Sequence, residues 1–370
     1  MQFNDIIGQT TIKQHLLKSV RDRRVSHAQL LLGATGYGGL ALALAYAQLI
    51  NCRNPQADDS CGRCGSCLRS KRMAHPDIHY SYPTIGPKAL STQFIDRWRE
   101  AIAQNPYLDA FHWLQFIKAE NKQGNITVEE CEDIVRKLNL MPAESGFKVL
   151  VMWLPEYLGK EGNRLLKLIE EPPDNTLFLL VAENADLILN TILSRTQLLK
   201  IPRLSETDIS QGLQKHRQVN ADTAHQIAVL AEGNLNEALA LLDGEQRNNQ
   251  HLLVKWLNAC MTNQTAQMDS FTEEIAEVGR EGQKNFLRYA LHFLRQCLMM
   301  KTAPQLAVLL PSEVSIAQRL TAQIGREHIA YLNTLLNDAV YHVERNANPR
   351  ILFFNLSIKT ADLLAYKPKK

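Results

Sequence analysis

A chain of 370 residues is long enough for two or three domains, each with its own core. Hydrophobic residues make up 45% and charged residues 21%, a globular balance rather than a disordered or fibrous one. The formal net charge of +3 gives no whole-chain argument for nucleic-acid binding, and the longest apolar run, Leu40–Ile50, is interrupted by Gln48 and too short to span a bilayer. The opening residues Met1-Gln2-Phe3-Asn4-Asp5 lack a basic start leading into an apolar core, so a cytoplasmic location is expected.

In chain order, Ala28 to Leu32 reads as a short buried strand and Leu40 to Ile50 as a helix, with a glycine-rich loop between them. Thr127 to Leu140 has helical spacing and a Thr-Val-Glu-Glu start suited to a cap. Lys148 to Leu154 is an apolar run of strand length. Gly162 to Ile169 is helical and is stopped by Glu170-Glu171-Pro172-Pro173. Thr176 to Val181 and Gln197 to Ile201 read as further strands. Alternation of this kind predicts an α/β fold with a parallel sheet covered by helices on both faces. After Pro202 the pattern is helical, in short segments to Leu242 and in longer ones to Leu364. The expected division is an α/β region over 1–203, a region of short helices over 204–244 and an all-α region over 245–370. The tail Lys367-Pro368-Lys369-Lys370 reads as a frayed end.

The loop Gly33-Ala34-Thr35-Gly36-Tyr37-Gly38-Gly39-Leu40 has the glycines of a phosphate loop without its reactive side chains. The pattern G-x-x-x-x-G-K-[ST] needs Lys to reach the β/γ-phosphates and a hydroxyl to hold Mg²⁺. Gly39 stands at the Lys position and Leu40 at the hydroxyl position. Gly33, Gly36, Gly38 and Gly39 therefore form a degenerate loop, and productive ATP binding is not expected. The free N–H groups at the helix start can still attract an anion.

Four of the seven cysteines cluster as Cys52-x8-Cys61-x2-Cys64-x2-Cys67. Four thiolates suit tetrahedral Zn²⁺ with no open position, so the expected metal is structural. Gly62 and Gly65 permit the tight turns, and a redox pair would use two thiols where this segment, about 51–70, offers four. His75 and His79 are not needed as ligands. Cys131, Cys260 and Cys297 read as small buried hydrophobes.

Several boxes together resemble the subunits of the bacterial DNA polymerase III clamp loader, a branch of the AAA+ ATPases. They are Phe3-x-x-Ile6-Ile7-Gly8-Gln9, His27-Ala28, the loop at Gly33 to Gly38, the four-cysteine insertion and Lys148-Val149. Leu165-Leu166-Lys167 through Pro172-Pro173, Thr191-Ile192-Leu193-Ser194-Arg195 and Asn346-x-Asn348-Pro349-Arg350 complete the series. The resemblance implies a P-loop NTPase-like sheet with a zinc module inserted, a lid, and a helical collar that joins a ring. It also implies partners: gamma/tau-type ATPase subunits, a delta subunit, a sliding clamp and primer–template DNA, with no membrane.

Trp153-Leu154 occupies the place of the family's acidic pair, and Asn236, in Gly233-Asn234-Leu235-Asn236-Glu237-Ala238-Leu239, that of a sensor arginine. With the loop side chains, three separated sites of hydrolysis are altered. Arg195 remains in the family's Ser-Arg-Cys box, here Ser194-Arg195-Thr196, and the resemblance implies that it reaches the γ-phosphate of a neighbour's ATP. From the residues alone, Arg195 reads as a surface arginine bridging a carboxylate. Two other functions compete: an active loader ATPase, and a stand-alone zinc-containing DNA-binding protein. ATP hydrolysis by the purified chain separates the first from a silent subunit, and strong salt-dependent duplex binding separates the second.

Overall fold

The computed structural model describes all residues except 120–122, 145, 244–246, 308, 310 and 366–370. The expected boundary at 244/245 and the Lys367–Lys370 tail lie outside the described residues. The chain divides into two compact units, Met1–Leu239 and Ala240–Lys370.

The first unit is built on a five-stranded sheet: β1 (Ala28–Leu32), β2 (Ile78–Ser81), β3 (Lys148–Trp153), β4 (Thr176–Ala182) and β5 (Gln197–Lys200). The strand order is β2-β3-β4-β1-β5, and every pairing is parallel. All residues of β3 and β4 are buried, as strands covered on both faces must be, which is why they read as unbroken apolar runs. Successive side chains alternate between the faces. Leu30, Leu150, Met152, Phe178 and Leu180 pack with Cys131, Ile134 and Leu138 of helix Val128–Asn139 and with Leu165, Leu168 and Ile169. Helix Gly39–Ile50 packs on β1, β3 and β4. It is buried from Leu40 through Leu49, which matches a sequence that is apolar all round.

The sheet is the predicted AAA+-like α/β architecture, with two additions. The short edge strand β2 pairs the strand formers Ile78 and Tyr80 with His79 and Ser81, and at four residues it is too short to stand out in the sequence. The segment before Leu166 is a 3-10 helix, Pro155–Leu165, broken at Gly159 (φ 53°, ψ −140°), rather than a helix starting at Gly162.

Three further helices close this part of the chain: Glu206–Arg217, Ala221–Leu230 and Leu235–Asp243. Ser205 and Asn220 cap the first two, accepting from the N–H groups of Asp208 and Thr223. The second unit is all-helical, with helices Arg247–Met261, Thr265–Glu277, Gly279–Thr302, Pro311–Gln323, Arg326–Glu344 and Pro349–Ala365. Trp256, Phe271, Phe286, Phe293 and Phe353 form its centre. No helix among the described residues is long and apolar enough to cross a membrane.

Candidate functional site

The glycine loop leaves the carboxyl end of β1 and enters the helix at Gly39. Gly36 (φ +77°) and Gly38 (φ +95°) lie in the left-handed region, so the backbone keeps the turn that glycine allows. The pocket over the loop is lined by loop residues, Pro106, Tyr107, Leu108, Trp153, Val181, Ala182 and Glu183; none of these is Lys or Arg. The Thr35 hydroxyl donates to Glu183 Oε1 at 2.6 Å, which sets a carboxylate against the loop. At the phosphate-coordinating positions Leu40 is buried, and a Cβ on Gly39 would meet Val181 Cγ1 at 3.2 Å.

The segment that follows β5 closes on this loop. The Leu235 N–H donates to the Gly36 carbonyl at 3.1 Å, and a Cβ on Gly36 would meet Asn234 Oδ1 at 1.7 Å. Asn236 is buried; it accepts from Asn105 Nδ2 at 2.7 Å and donates to Asp109 Oδ2 at 3.4 Å. The position expected to carry a sensor arginine is thus a neutral amide held inside the chain. Burial pushes the next side chain, Glu237, up to about 7; the Asp109 carboxylate adds to this and His112 opposes it.

The end of β3 is filled by aromatics rather than acids. Trp153 and Leu154 are buried. Trp153 lies 5.3 Å, ring centre to ring centre, from Trp98, which stacks on Tyr82 at 4.1 Å and meets Trp113 edge-on at 5.1 Å. Such pairs contribute roughly 0.5–1.5 kcal/mol each beyond the area they bury.

Arg195 sits just before β5, at the other end of the sheet. From Gln197 to Ile201, which contacts Gly33, the strand runs about 13 Å. Arg195 is therefore remote from the loop of its own chain. Its Nε and Nη2 pair with Glu170, and Nη1 donates to the Thr191 carbonyl at 2.8 Å and to Ser194 Oγ at 3.1 Å. Both members of the ion pair remain partly exposed, at 34% for Arg195 and 44% for Glu170.

The four cysteine sulfurs converge on one point: those of Cys52, Cys61, Cys64 and Cys67 all lie within 4.8 Å of one another. Cys61 and Cys67 are 3.9 Å apart, close to the edge of about 3.8 Å expected for a tetrahedron with Zn–S bonds of about 2.3 Å. Backbone N–H groups of Cys61, Cys64 and Cys67 point at the sulfurs of Cys52, Cys61 and Cys64, at 3.3–3.4 Å. Donors aimed at sulfur favour thiolates, and the Arg63 N–H first among them holds the Cys61 thiol down to about 6. Burial pushes the Cys67 thiol up. The donor set fits a closed zinc site. His75 stands outside it, accepting from the Asp77 N–H.

Residues 8–205, more than half of the chain, match the family described as DNA polymerase III, delta subunit. The chain belongs to that family. It is 24% identical to DNA polymerase III subunit tau of Bacillus subtilis, over 95% of this chain and 60% of that one. It is 26% identical to DNA polymerase III subunit delta' of Escherichia coli, over 63% of this chain and 59% of that one. The chain thus spans about 60% of the length of these curated relatives. Among solved structures, a DNA polymerase III gamma subunit-related protein from Thermotoga maritima aligns with a TM-score of 0.46 at 14% identity, covering 95% of this chain and 99% of that one.

Within this delta-subunit family member, sequence reasoning located the loop, the cysteines, Trp153-Leu154, Asn236 and Arg195. It missed Glu183, Asn105 and Asp109, which complete the loop end of the sheet. Asn105 and Asp109 lie 131 and 127 positions from Asn236, so no local pattern signals the contact. The partner of Arg195 was visible only as a helix-ending Glu170-Glu171 pair.

Proposed function

We propose that this chain is a non-hydrolysing subunit of the DNA polymerase III clamp loader, in the delta-prime position. In this reading Arg195 acts in trans on the ATP of a neighbouring gamma/tau-type subunit. The single observation that carries it is the contrast within the loop pocket, which keeps the phosphate-loop backbone but is lined by no Lys or Arg and includes the Glu183 carboxylate. A triphosphate entering there meets backbone N–H groups alone and a like charge beside them. Hydrolysis then belongs to another subunit, and this chain contributes shape and a guanidinium.

The chemistry of Arg195 follows from its exposure. One partly exposed carboxylate holds it weakly, in the range of about 0–1 kcal/mol for such pairs. A neighbour's γ-phosphate carries more charge and three acceptor oxygens, and so competes well for the planar fork. A guanidinium supplied across a subunit boundary stabilises charge spreading over the transferring phosphoryl group, an effect of about 10³–10⁵ in rate for arginine fingers. In the same reading residues 1–203 form the ATPase-like body, 204–244 the lid and 245–370 the collar that joins the ring. Cys52, Cys61, Cys64 and Cys67 hold a structural zinc, which cross-links their segment and takes no part in catalysis.

The test is clamp- and DNA-stimulated ATP hydrolysis by the reconstituted loader, comparing this chain with its Arg195→Ala variant, with assembly checked by sizing. A large fall in rate with the complex intact is expected. An unchanged rate would reduce the chain to a scaffold. Hydrolysis by the purified chain alone would overturn the silent reading.

A further inference from the structure

We propose that the cysteine module sets the position of the glycine loop and of helix Glu206–Arg217 through the first nine residues of the chain, so that zinc governs how firmly that helix is held. Residues 1–9 run as a strap between these places. At one end, Gln2 Nε2 donates to the Ser60 carbonyl at 2.7 Å, and the Asn4 N–H donates to Asp59 Oδ2 at 2.9 Å. Gln2 also covers Gly62, where a Cβ would meet its Oε1 at 2.5 Å. In the middle, Phe3 and Ile6 are buried, and the Ile7 N–H donates to the Tyr107 hydroxyl at 3.0 Å. At the far end, Gln9 Nε2 donates both to the Tyr37 carbonyl in the loop, at 2.9 Å, and to the Pro202 carbonyl at 2.7 Å. Ile7 fills the space over Gly212, where a Cβ would lie 2.3 Å from its Cδ1, and Gly8 lies against Asp208 and Leu204.

The anchors at the first end depend on the metal. Asp59 and Ser60 are buried, yet they belong to the segment between Cys52 and Cys61, whose sequence Arg-Asn-Pro-Gln-Ala-Asp-Asp-Ser offers no apolar core. Apart from Gln48 Nε2, which donates to Ser60 Oγ at 2.8 Å, what fixes the shape of such a segment is the tying of its ends. Zinc ties them, and with them the Asp59 carboxylate and the Ser60 carbonyl that receive the strap. Releasing the metal frees these acceptors, slackens residues 1–9 and weakens what Ile7, Gly8 and Gln9 hold. This gives a non-catalytic metal a mechanical task at the opposite end of the strap. The inference rests on the zinc reading of the four thiolates, and the experiment separates the two.

The experiment is hydrogen–deuterium exchange on the full chain with zinc bound and after chelation, with zinc content measured alongside. The expected result is exchange about three- to tenfold faster at 1–9, 33–39 and 206–217, the loss of roughly one part-buried hydrogen bond, with 247–365 unchanged. Zinc bound and released with faster exchange confined to 51–72 would overturn the strap and leave the zinc site standing. Protein that binds no zinc would overturn both. Gln2→Ala provides a second arm that leaves the metal in place. With zinc content unchanged, faster exchange at 206–217 supports the strap, and a change confined to residues 1–5 overturns it.

Discussion

The two ends of the parallel sheet are built in opposite ways. At the carboxyl end the glycine loop has its tight backbone turn, while Leu40, Trp153 and Asn236 stand where the resemblance implies a hydroxyl, an acid and a cation. At the amino end Arg195 keeps its guanidinium and stays partly exposed, joined to the rest of the chain by one ion pair and two short hydrogen bonds. The first end is core; the second is surface. The turn and the helix start are part of how the sheet packs.

The largest effect expected from testing this contrast comes from restoring the acids. Trp153→Asp with Leu154→Glu removes an indole from the aromatic cluster and buries two carboxylates, a cost of about 5 kcal/mol or more. Denaturant unfolding checks it; a near-neutral change would mean that the carboxyl end is a vacant site and not core. Gly36→Ala comes next, because a Cβ there meets Asn234 and the φ of +77° disfavours any side chain. A loss of about 2–4 kcal/mol is expected by the same measurement.

Glu237 gives a smaller, pH-dependent effect at the same end. Its carboxyl is raised in the folded chain from 4.5 to about 7, with Asp109 and His112 as its charged neighbours. The folded state therefore binds this proton more tightly than the unfolded state. The stability it contributes is fully present below about pH 4.5 and is lost as pH rises through 7, by about 3 kcal/mol at most. Glu237→Gln should flatten that part of the pH–stability profile and raise Tm at pH 8. The smallest effect belongs to the amino end: Glu170→Gln should change stability by less than about 1 kcal/mol, since the pair is solvent-screened. A larger loss in thermal unfolding would make Arg195 a structural residue and erase the contrast.

What the sequence makes legible divides along the same physical line. β1, β3 and β4 are apolar runs because both their faces are covered, and their positions follow from that alone. The cysteine site is legible because its ligands lie within sixteen residues, so spacing carries the geometry. β2 is hidden because Ile78-His79-Tyr80-Ser81, though it alternates, is only four residues long, too short for the pattern to stand out. The closure over the loop is hidden for a different reason. Asn105, Asp109 and Glu183 meet Asn236 and Thr35 only through the fold, and each alone is an ordinary polar residue. Arg195 lies between these cases: its position was recognised through the resemblance, and its pairing with Glu170 required the structure.

The aromatic packing behind the refilled loop end also gives the molecule its own optical label. Three of its four tryptophans cluster, Trp98 and Trp113 against Tyr82 and Trp153 against Trp98, while Trp256 stands in the helical unit, donating to Ser357 Oγ at 3.1 Å. Coupled rings of this kind give near-ultraviolet circular dichroism that vanishes when their mutual angles are lost. Melting of the sheet unit and of the helical unit can therefore be followed separately in one unlabelled sample, with Trp256→Phe as the blank for the second.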